Sequence, residues 1–305
     1  MTRLGRTLGL LLVLWASAGL AGTPVEAQQP LEGKLVSVGS DTLGSLTSLW
    51  AEMLSRRYPG VLVQVRAVGS AAAPTALIQG TADVGPMSRP MSASEQAAFA
   101  REYGYAPTAV AVARDELAVF VHRDNPLDTI AVTEVDAVFS STRRCGAPAL
   151  ISRWTDLGLT GAWGQRPVSS YGRSTASGTY SVFRRQLLCG GDFSPRLNRL
   201  VGSAAVVHAV GLDRGAIGYA SAGYLNANVR RLQVLAGDGA PLPLSRRLYM
   251  YLNSPPGAPL EPVIAAFLNV VLSPEGQREV RKAGYAPLST PVLHESRAAL
   301  GLSRG

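Results

Sequence analysis

The stretch TAVAVARDELAVFVH, residues 108–122, is apolar over most of its length and rich in Val and Ala. A strand that is buried on both faces shows a nearly continuous apolar run, whereas a strand with one wet face alternates apolar and polar residues. Residues 108–122 therefore predict strand structure that is buried on both faces.

The rest of the chain alternates between strand and helix patterns. Ser92 with Glu95 forms a capping box, and Ser273 followed by Pro274 is a second helix start. This alternation predicts an α/β fold with mainly parallel sheets, and 305 residues are enough for two lobes. Strands are predicted at 34–38, 61–67, 215–221 and 247–253, and helices at 43–54, 92–104, 177–188, 203–213 and 273–284.

The chain is basic, with a formal net charge of +8, but its basic residues are scattered. A nucleic-acid groove needs basic and stacking residues together, and aromatic residues make up only 7 % of this chain. Nucleic acid is therefore not expected as a partner. The arginine pairs are instead predicted to be solvated surface. They are Arg56–Arg57, Arg143–Arg144, Arg184–Arg185, Arg230–Arg231 and Arg246–Arg247.

Residues 1–27 have the organisation of a cleaved secretory signal peptide. Arg3 and Arg6 precede the uncharged run LGLLLVLWASAGLAG at 8–22, and small residues suit cleavage after Ala21 or Ala27. The run is short for a membrane span, although an uncleaved anchor stays the alternative. We therefore expect an exported protein.

The two cysteines, Cys145 and Cys189, are too few and too far apart in sequence for a zinc site. Export would place them in an oxidising compartment, so we expect a disulfide between them. Two free buried thiols are the alternative.

Catalytic motifs do not occur in the sequence: Walker, dinucleotide-binding, HExxH and GxSxG patterns are all absent. The three histidines, His122, His208 and His294, lie far in sequence from any nucleophile and carboxylate that they could serve, and we predict structural roles for them. The sequence does not favour an enzyme, and neither a cofactor nor a metal is expected.

Four short stretches place Ser or Thr where a predicted strand passes into a helix. A helix N-terminus carries unbonded N–H groups and a partial positive charge, so several of them aimed at one point make an anion site. Each stretch alone is more typical of an ordinary N-cap, but four together predict a shared site. The stretches are GSDT (39–42), GS (69–70), MSRP (87–90) and GRSTASGT (172–179).

In order and spacing these stretches resemble the periplasmic phosphate-binding proteins of ABC phosphate importers, which are type II solute-binding proteins. GRSTASGT matches the family's Arg-x-x-x-Ser-Gly-Thr motif, and GSDT follows the first strand as in the family. GTADVGPMSRPMS (80–92) matches Gly-x-x-Asp-φ-Gly-x-x-Ser-Arg-x-φ, where φ is apolar. The resemblance extends from Lys34 to Thr290.

The resemblance implies a two-lobed α/β fold of the type II periplasmic-binding-protein class, each lobe a mainly parallel sheet flanked by helices. We expect lobe 1 to comprise 31–114 and 246–305 and lobe 2 to comprise 115–245, with hinge crossings near Arg114 and Arg246. Inorganic phosphate, or a similar tetrahedral oxyanion, would be held in the cleft between the lobes, and its binding would close the hinge.

Carried over by motif, the resemblance also implies a role for each site residue. Arg173 would hold two phosphate oxygens, Ser and Thr side chains would donate hydroxyls, and Gly178 would donate its N–H. Ser88 occupies a position that is Asp in some relatives and Ser in others. The implied phosphate-binding set is Ser40, Asp41, Thr42, Ser70, Ser88, Arg173, Ser177, Gly178 and Thr179.

Specificity centres on Asp41. Phosphate at neutral pH still carries a proton and sulfate does not, so a carboxylate that accepts this proton favours phosphate. With Ser88 at the variable position, Asp41 is the candidate acceptor, and a role as helix cap is the alternative. The run Ala71–Ala73 departs from the Ser- and Gly-rich family sequence and removes side-chain donors.

The resemblance finally implies a periplasmic monomer whose partner is the membrane permease of an ABC importer. Two other classes stay open. One is a sensor or adhesion module with a weakened site, which the run Ala71–Ala73 favours. The other is an exported phosphatase on the same fold, which would need a base beside Ser177 or Ser70.

Overall fold

The computed structural model describes residues 30–302, so the predicted signal peptide at 1–27 lies outside the described residues. The strands are β1 (Glu32–Val38), β2 (Gly60–Arg66), β3 (Val84–Met87), β4 (Thr108–His122), β5 (Thr129–Ala131), β6 (Ser169–Arg173), β7 (Asn198–Leu200), β8 (Ala216–Ser221), β9 (Val229–Leu235) and β10 (Ser245–Leu252). The helices are α1 (Gly44–Arg57), α2 (Ala72–Ile78), α3 (Ala93–Tyr103), α4 (Val132–Phe139), α5 (Gly161–Gly164), α6 (Gly178–Leu187), α7 (Ser203–Leu212), α8 (Pro262–Val271), α9 (Pro274–Lys282) and α10 (Thr290–Ala299).

Strand β4 is the central element of the sheet, and most of its residues are buried, as its apolar run predicts. The strand order is β2-β1-β3-β10-β4-β8-β6-β7, and β9 pairs with β4 and β5. Residues 108–116 of β4 pair with β10, whereas residues 117–122 pair with β8 and β9. Every antiparallel pair between the named strands includes β4 or β10, and the other pairs are parallel. The α/β prediction is confirmed, and each antiparallel ladder between named strands has β4 or β10 as a member.

The buried apolar side chains fall into separate clusters on either side of the middle of β4. The buried members of the largest cluster come from 35–113 and 248–288, and those of the second cluster come from 117–244. Three smaller clusters draw their buried members from 73–99 with Tyr251, from 38–82 and from 118–229. The chain from Leu31 onward nevertheless forms one compact unit. β4 runs through both parts of the sheet and contributes buried residues to both large clusters.

Helix starts follow the local chemistry of the sequence. Ser92 Oγ accepts a hydrogen bond from the Glu95 N–H at 3.2 Å, and the Glu95 carboxylate accepts from the Ser92 N–H at 2.7 Å, so the predicted capping box is present. Ser273 Oγ accepts from the Gly276 N–H at 2.9 Å, with Pro274 in the first turn of α9. Between residues 30 and 302, no helix has the length and apolar character needed to cross a membrane.

Cys145 and Cys189 form a disulfide, with their Cα atoms 5.3 Å apart, so the predicted pairing is confirmed. The bond joins the loop after α4 to the end of α6, the helix that follows the GRSTASGT stretch. It therefore fixes the C-terminal end of α6, whose N-terminal end lies at the candidate site.

Replacing both cysteines by Ala should lower the free energy of unfolding by about 2–4 kcal/mol, because the unfolded chain regains the entropy of a loop of about 45 residues. Urea unfolding under oxidising conditions measures the loss. Wild-type protein in reductant should unfold like the double variant. An unchanged urea midpoint in both samples would contradict a stabilising role for this disulfide.

Candidate anion-binding site

The loop between β1 and α1 forms one wall of the site. β1, β2 and β3 are parallel, so their carboxyl ends meet at one edge of the sheet. The Ser40 N–H donates to the Pro86 carbonyl at 2.7 Å, and the Gly69 N–H donates to the Gly39 carbonyl at 2.8 Å. These bonds tie the GSDT, GS and MSRP stretches together at that edge.

Ser70 and Ser88 lie side by side in this wall. Their hydroxyl oxygens are 3.2 Å apart, and the Ser88 N–H donates to Ser70 Oγ at 3.0 Å. Both residues are fully buried. Because Ser70 Oγ accepts from the Ser88 N–H, its own hydroxyl hydrogen remains available to donate.

The GRSTASGT stretch forms the opposite wall. β6 ends at Arg173, and α6 begins at Gly178 with Ser177 as its N-cap. Ser177 Oγ accepts a hydrogen bond from the Thr179 N–H at 3.1 Å. The stretch thus forms a strand-to-helix turn whose helix N-terminus faces the first wall.

The two walls are in direct contact. Thr42 Oγ1 and Thr179 Oγ1 are 3.1 Å apart, and the Ala71 N–H donates to the Ala176 carbonyl at 3.1 Å. A Cβ at Gly178 would lie 2.5 Å from Ser88 Oγ and 2.6 Å from Ser70 Oγ. Glycine is therefore required at 178 for the walls to approach this closely.

Arg173 lies at the centre of the site with a fully buried side chain. Nη1 donates to Ser203 Oγ at 2.7 Å, and Nη2 donates to the Asp41 carboxylate. Nε meets no acceptor among residues 30–302. Burial lowers the pKa of Arg173 to about 10, which leaves the guanidinium cationic at neutral pH.

Asp41 pairs with Arg173 and does not cap α1. Its second carboxylate oxygen accepts from the neighbouring Thr42 N–H at 3.0 Å, whereas Ser40 Oγ accepts from the Leu43 N–H at 3.4 Å. The N-cap position of α1, Leu43, makes no side-chain cap bond. The alternative role of Asp41 as a helix cap therefore finds no support in this geometry.

Arg246 corrects the prediction that all the arginine pairs are solvated. Its side chain is 5 % exposed, and its Nε and Nη2 donate to Asp115 Oδ2 at 2.9 and 2.7 Å. Nη2 also donates to Thr179 Oγ1 at 2.8 Å, and Ser221 donates to Asp115 Oδ1 at 2.7 Å. Asp115 lies within the apolar run of β4. Because a buried carboxylate needs a partner, this residue was a sequence signal for a buried arginine.

Two tyrosines also support the site and were missed from the sequence. Tyr224 and Tyr285 donate their hydroxyls to the Thr42 carbonyl at 3.1 and 2.6 Å. Burial raises the pKa of Tyr285 well above its ordinary value, so its hydroxyl keeps the proton that it donates. Tyr224 follows β8, so it links the backbone at Thr42 to the part of the chain that carries Arg173.

The structure brings all nine residues implied by the motifs into this one region. Eight are buried, and the Asp41 side chain is only 9 % exposed. They supply hydroxyls, a helix N-terminus and one arginine, which together suit a small anion. The hydroxyls of Ser70 and Ser177 contact Ser88 and the Thr179 N–H, neither of which is a base. Within residues 30–302 no group of three or more His, Cys, Asp or Glu side chains could hold a metal ion.

Comparison with solved structures agrees with this architecture. A putative phosphate ABC transporter substrate-binding protein with bound phosphate from Clostridium perfringens superposes with a TM-score of 0.70 over 84 % of this chain and all of that one, at 22 % identity. An ABC-type phosphate transport receptor from Vibrio cholerae gives a TM-score of 0.63 at 21 % identity, over 83 % of this chain and all of that one. At these identities the likeness establishes the fold, which is that of the type II periplasmic-binding proteins.

Sequence comparison establishes the family. The model of the PBP superfamily domain matches residues 24–275. The phosphate-binding protein PstS of Pseudomonas aeruginosa is 47 % identical over 285 residues, which cover 89 % of this chain and 88 % of that relative. Protein SphX of Synechococcus elongatus is 25 % identical over 94 % of this chain and 88 % of its own length. The chain therefore belongs to the PBP superfamily and, within it, to the family of PstS phosphate-binding proteins.

Proposed function

We propose that this protein is an exported solute-binding protein that captures inorganic phosphate and delivers it to an ABC importer. One observation carries the proposal: Arg173 is fully buried where Ser, Thr and Gly residues of two separate chain regions converge. A buried guanidinium is costly unless its charge is compensated, and a tetrahedral oxyanion matches its planar fork. The 47 % identical relative is itself named a phosphate-binding protein.

We further propose that the two walls belong to two lobes, 31–114 with 246–305 and 115–245. The distribution of the buried clusters supports this division, because the buried members of each cluster fall within one of the two sets. β4 and β10 would then form the hinge, and the close approach of Gly178 to Ser70 and Ser88 would correspond to the closed form. Phosphate would enter the cleft between the lobes in the open form.

In the closed form the proposed phosphate-binding residues would surround phosphate from both lobes. Arg173 offers Nε, which has no acceptor within residues 30–302, and Nη2, which phosphate would share with or take from Asp41. Ser70 and Ser88 would donate from lobe 1, and Thr179 and the Gly178 N–H from lobe 2. In a buried site of low dielectric such charge-assisted bonds are strong, so affinity comes from many of them together.

Binding without chemistry is part of the proposal. The relatives are named as binding and transport proteins. Within residues 30–302 the hydroxyls of Ser70 and Ser177 contact Ser88 and the Thr179 N–H, and neither partner is a base. The pattern at 1–27 supports export to the periplasm, and a membrane permease is the corresponding partner. A weakened sensor or adhesion module is the second candidate, which the absence of side-chain donors at Ala71–Ala73 favours. Phosphate titration of the wild type separates the two.

Replacing Arg173 by Ala should weaken phosphate binding by at least about tenfold, since hydrogen bonds to a charged group contribute roughly 1.5–3 kcal/mol. Isothermal titration calorimetry measures the change. Arg185→Ala is the matched control, because Arg185 is exposed at the far end of α6. Equal affinities of Arg173→Ala and wild type would remove Arg173 from the site.

Replacing Asp41 by Asn should reduce the preference for phosphate over sulfate. The amide presents an N–H where the carboxylate accepted the phosphate proton, and it no longer repels the second charge of sulfate. Calorimetric titration with both anions gives the dissociation constant for sulfate divided by that for phosphate. This ratio should fall by about tenfold if one hydrogen bond to a charged group is lost. A ratio equal to that of the wild type would show that Asp41 does not discriminate.

A further inference from the structure

A second buried arginine lies beside the anion site and is not one of the proposed phosphate-binding residues. Arg246 on β10 is the register partner of Asp115 on β4, at the point where these strands pass between the proposed lobes. Two of its nitrogens donate to one carboxylate oxygen of Asp115, and Ser221 donates to the other oxygen. The guanidinium is therefore held in place by a carboxylate that is itself fixed.

The direction of the next hydrogen bond follows from chemistry. Arg246 Nη2 is 2.8 Å from Thr179 Oγ1, and a guanidinium can only donate, so the Thr179 hydroxyl must accept. A hydroxyl carries one hydrogen, and this bond leaves that hydrogen free to donate. The available acceptors are Thr42 Oγ1 at 3.1 Å and an oxyanion in the cleft.

The positive charge of Arg246 also acts on the site. Burial is the main cause of the lowered pKa of Arg173, and the charge of Arg246 lowers it further. The two guanidinium groups therefore repel each other, and an anion beside Thr179 would relieve this repulsion. A hydroxyl that accepts from a cation is in turn polarised into a stronger donor.

Building on the phosphate-binding function proposed above, we infer that Arg246 is a positioning residue of the anion site. It does not touch phosphate. Its guanidinium, fixed by Asp115, makes the Thr179 hydroxyl a permanent donor toward the anion, and so extends a second positive charge into the site through one hydrogen bond.

A double-mutant cycle tests this role. The ion pair is neutralised as a whole by Asp115→Asn with Arg246→Met, because removal of Arg246 alone would leave a buried carboxylate unpaired. Thr179→Val then removes the hydroxyl and keeps the side-chain shape. In the wild-type background Thr179→Val should weaken phosphate binding about tenfold or more, and in the neutralised background by about threefold or less, because the hydroxyl is no longer fixed as a donor.

Two controls separate positioning from general distortion. Arg247→Met alters the exposed neighbour of Arg246 on the same strand and should leave phosphate affinity unchanged. Ser70→Ala removes a hydroxyl that contacts Ser88 and should weaken binding equally in both backgrounds. Circular dichroism checks folding. If the neutralised protein does not fold, Arg246→Lys takes its place. The lysine keeps the positive charge, but its single ammonium cannot reproduce the planar guanidinium that donates to both Asp115 and Thr179.

The outcomes are distinct. The inference is supported if Thr179→Val causes a smaller loss of phosphate affinity in the altered background than in the wild type, while the loss caused by Ser70→Ala is the same in both. Equal costs of Thr179→Val in both backgrounds overturn it while phosphate binding by the wild type stands. A parallel reduction for Ser70→Ala would indicate general distortion and also overturn it. A wild type that binds no phosphate would overturn the proposed function and the inference together.

Discussion

The burial of the Arg173 guanidinium is the constraint on which the site depends. A charge removed from water needs hydrogen bonds and an opposite charge, and Arg173 finds them in Ser203 and Asp41. Asp41 lies after β1 and Ser203 begins α7, so the arginine joins distant parts of the chain. In the proposed cycle phosphate supplies the opposite charge, and capture of the anion and closure of the walls are one event.

β4 and β10 connect the two proposed lobes, so the proposed closure would leave the apolar cluster of each lobe intact. β4 contributes residues to both large apolar clusters, and β10 pairs with residues 108–116 of β4, up to the point where β4 passes from one cluster to the other. The ion pair between Asp115 and Arg246 joins these paired strands at the proposed hinge, and Arg246 also donates to Thr179 in the anion site. On this proposal, a substitution at Asp115 or Arg246 would change phosphate binding although neither side chain contacts the anion.

Local features were predictable from the sequence, and contacts between distant strands were not. The caps Ser92, Ser177 and Ser273 act on N–H groups two or three residues away, so a short stretch contains all that they need. The motif residues were found because they resemble a known family. Arg246 was misassigned because its partner is 131 residues away, and only the pairing of β4 with β10 brings the two together. Tyr224 and Tyr285 were missed for the same reason.

The most direct test of the account is a crystal structure of the wild-type protein grown with phosphate. The account predicts one phosphate between the two walls, with oxygens within hydrogen-bond distance of the Arg173 guanidinium and of hydroxyls from both the Ser70 and the Thr179 sides. Phosphate bound elsewhere, or contacts from one wall alone at saturating phosphate, would contradict it.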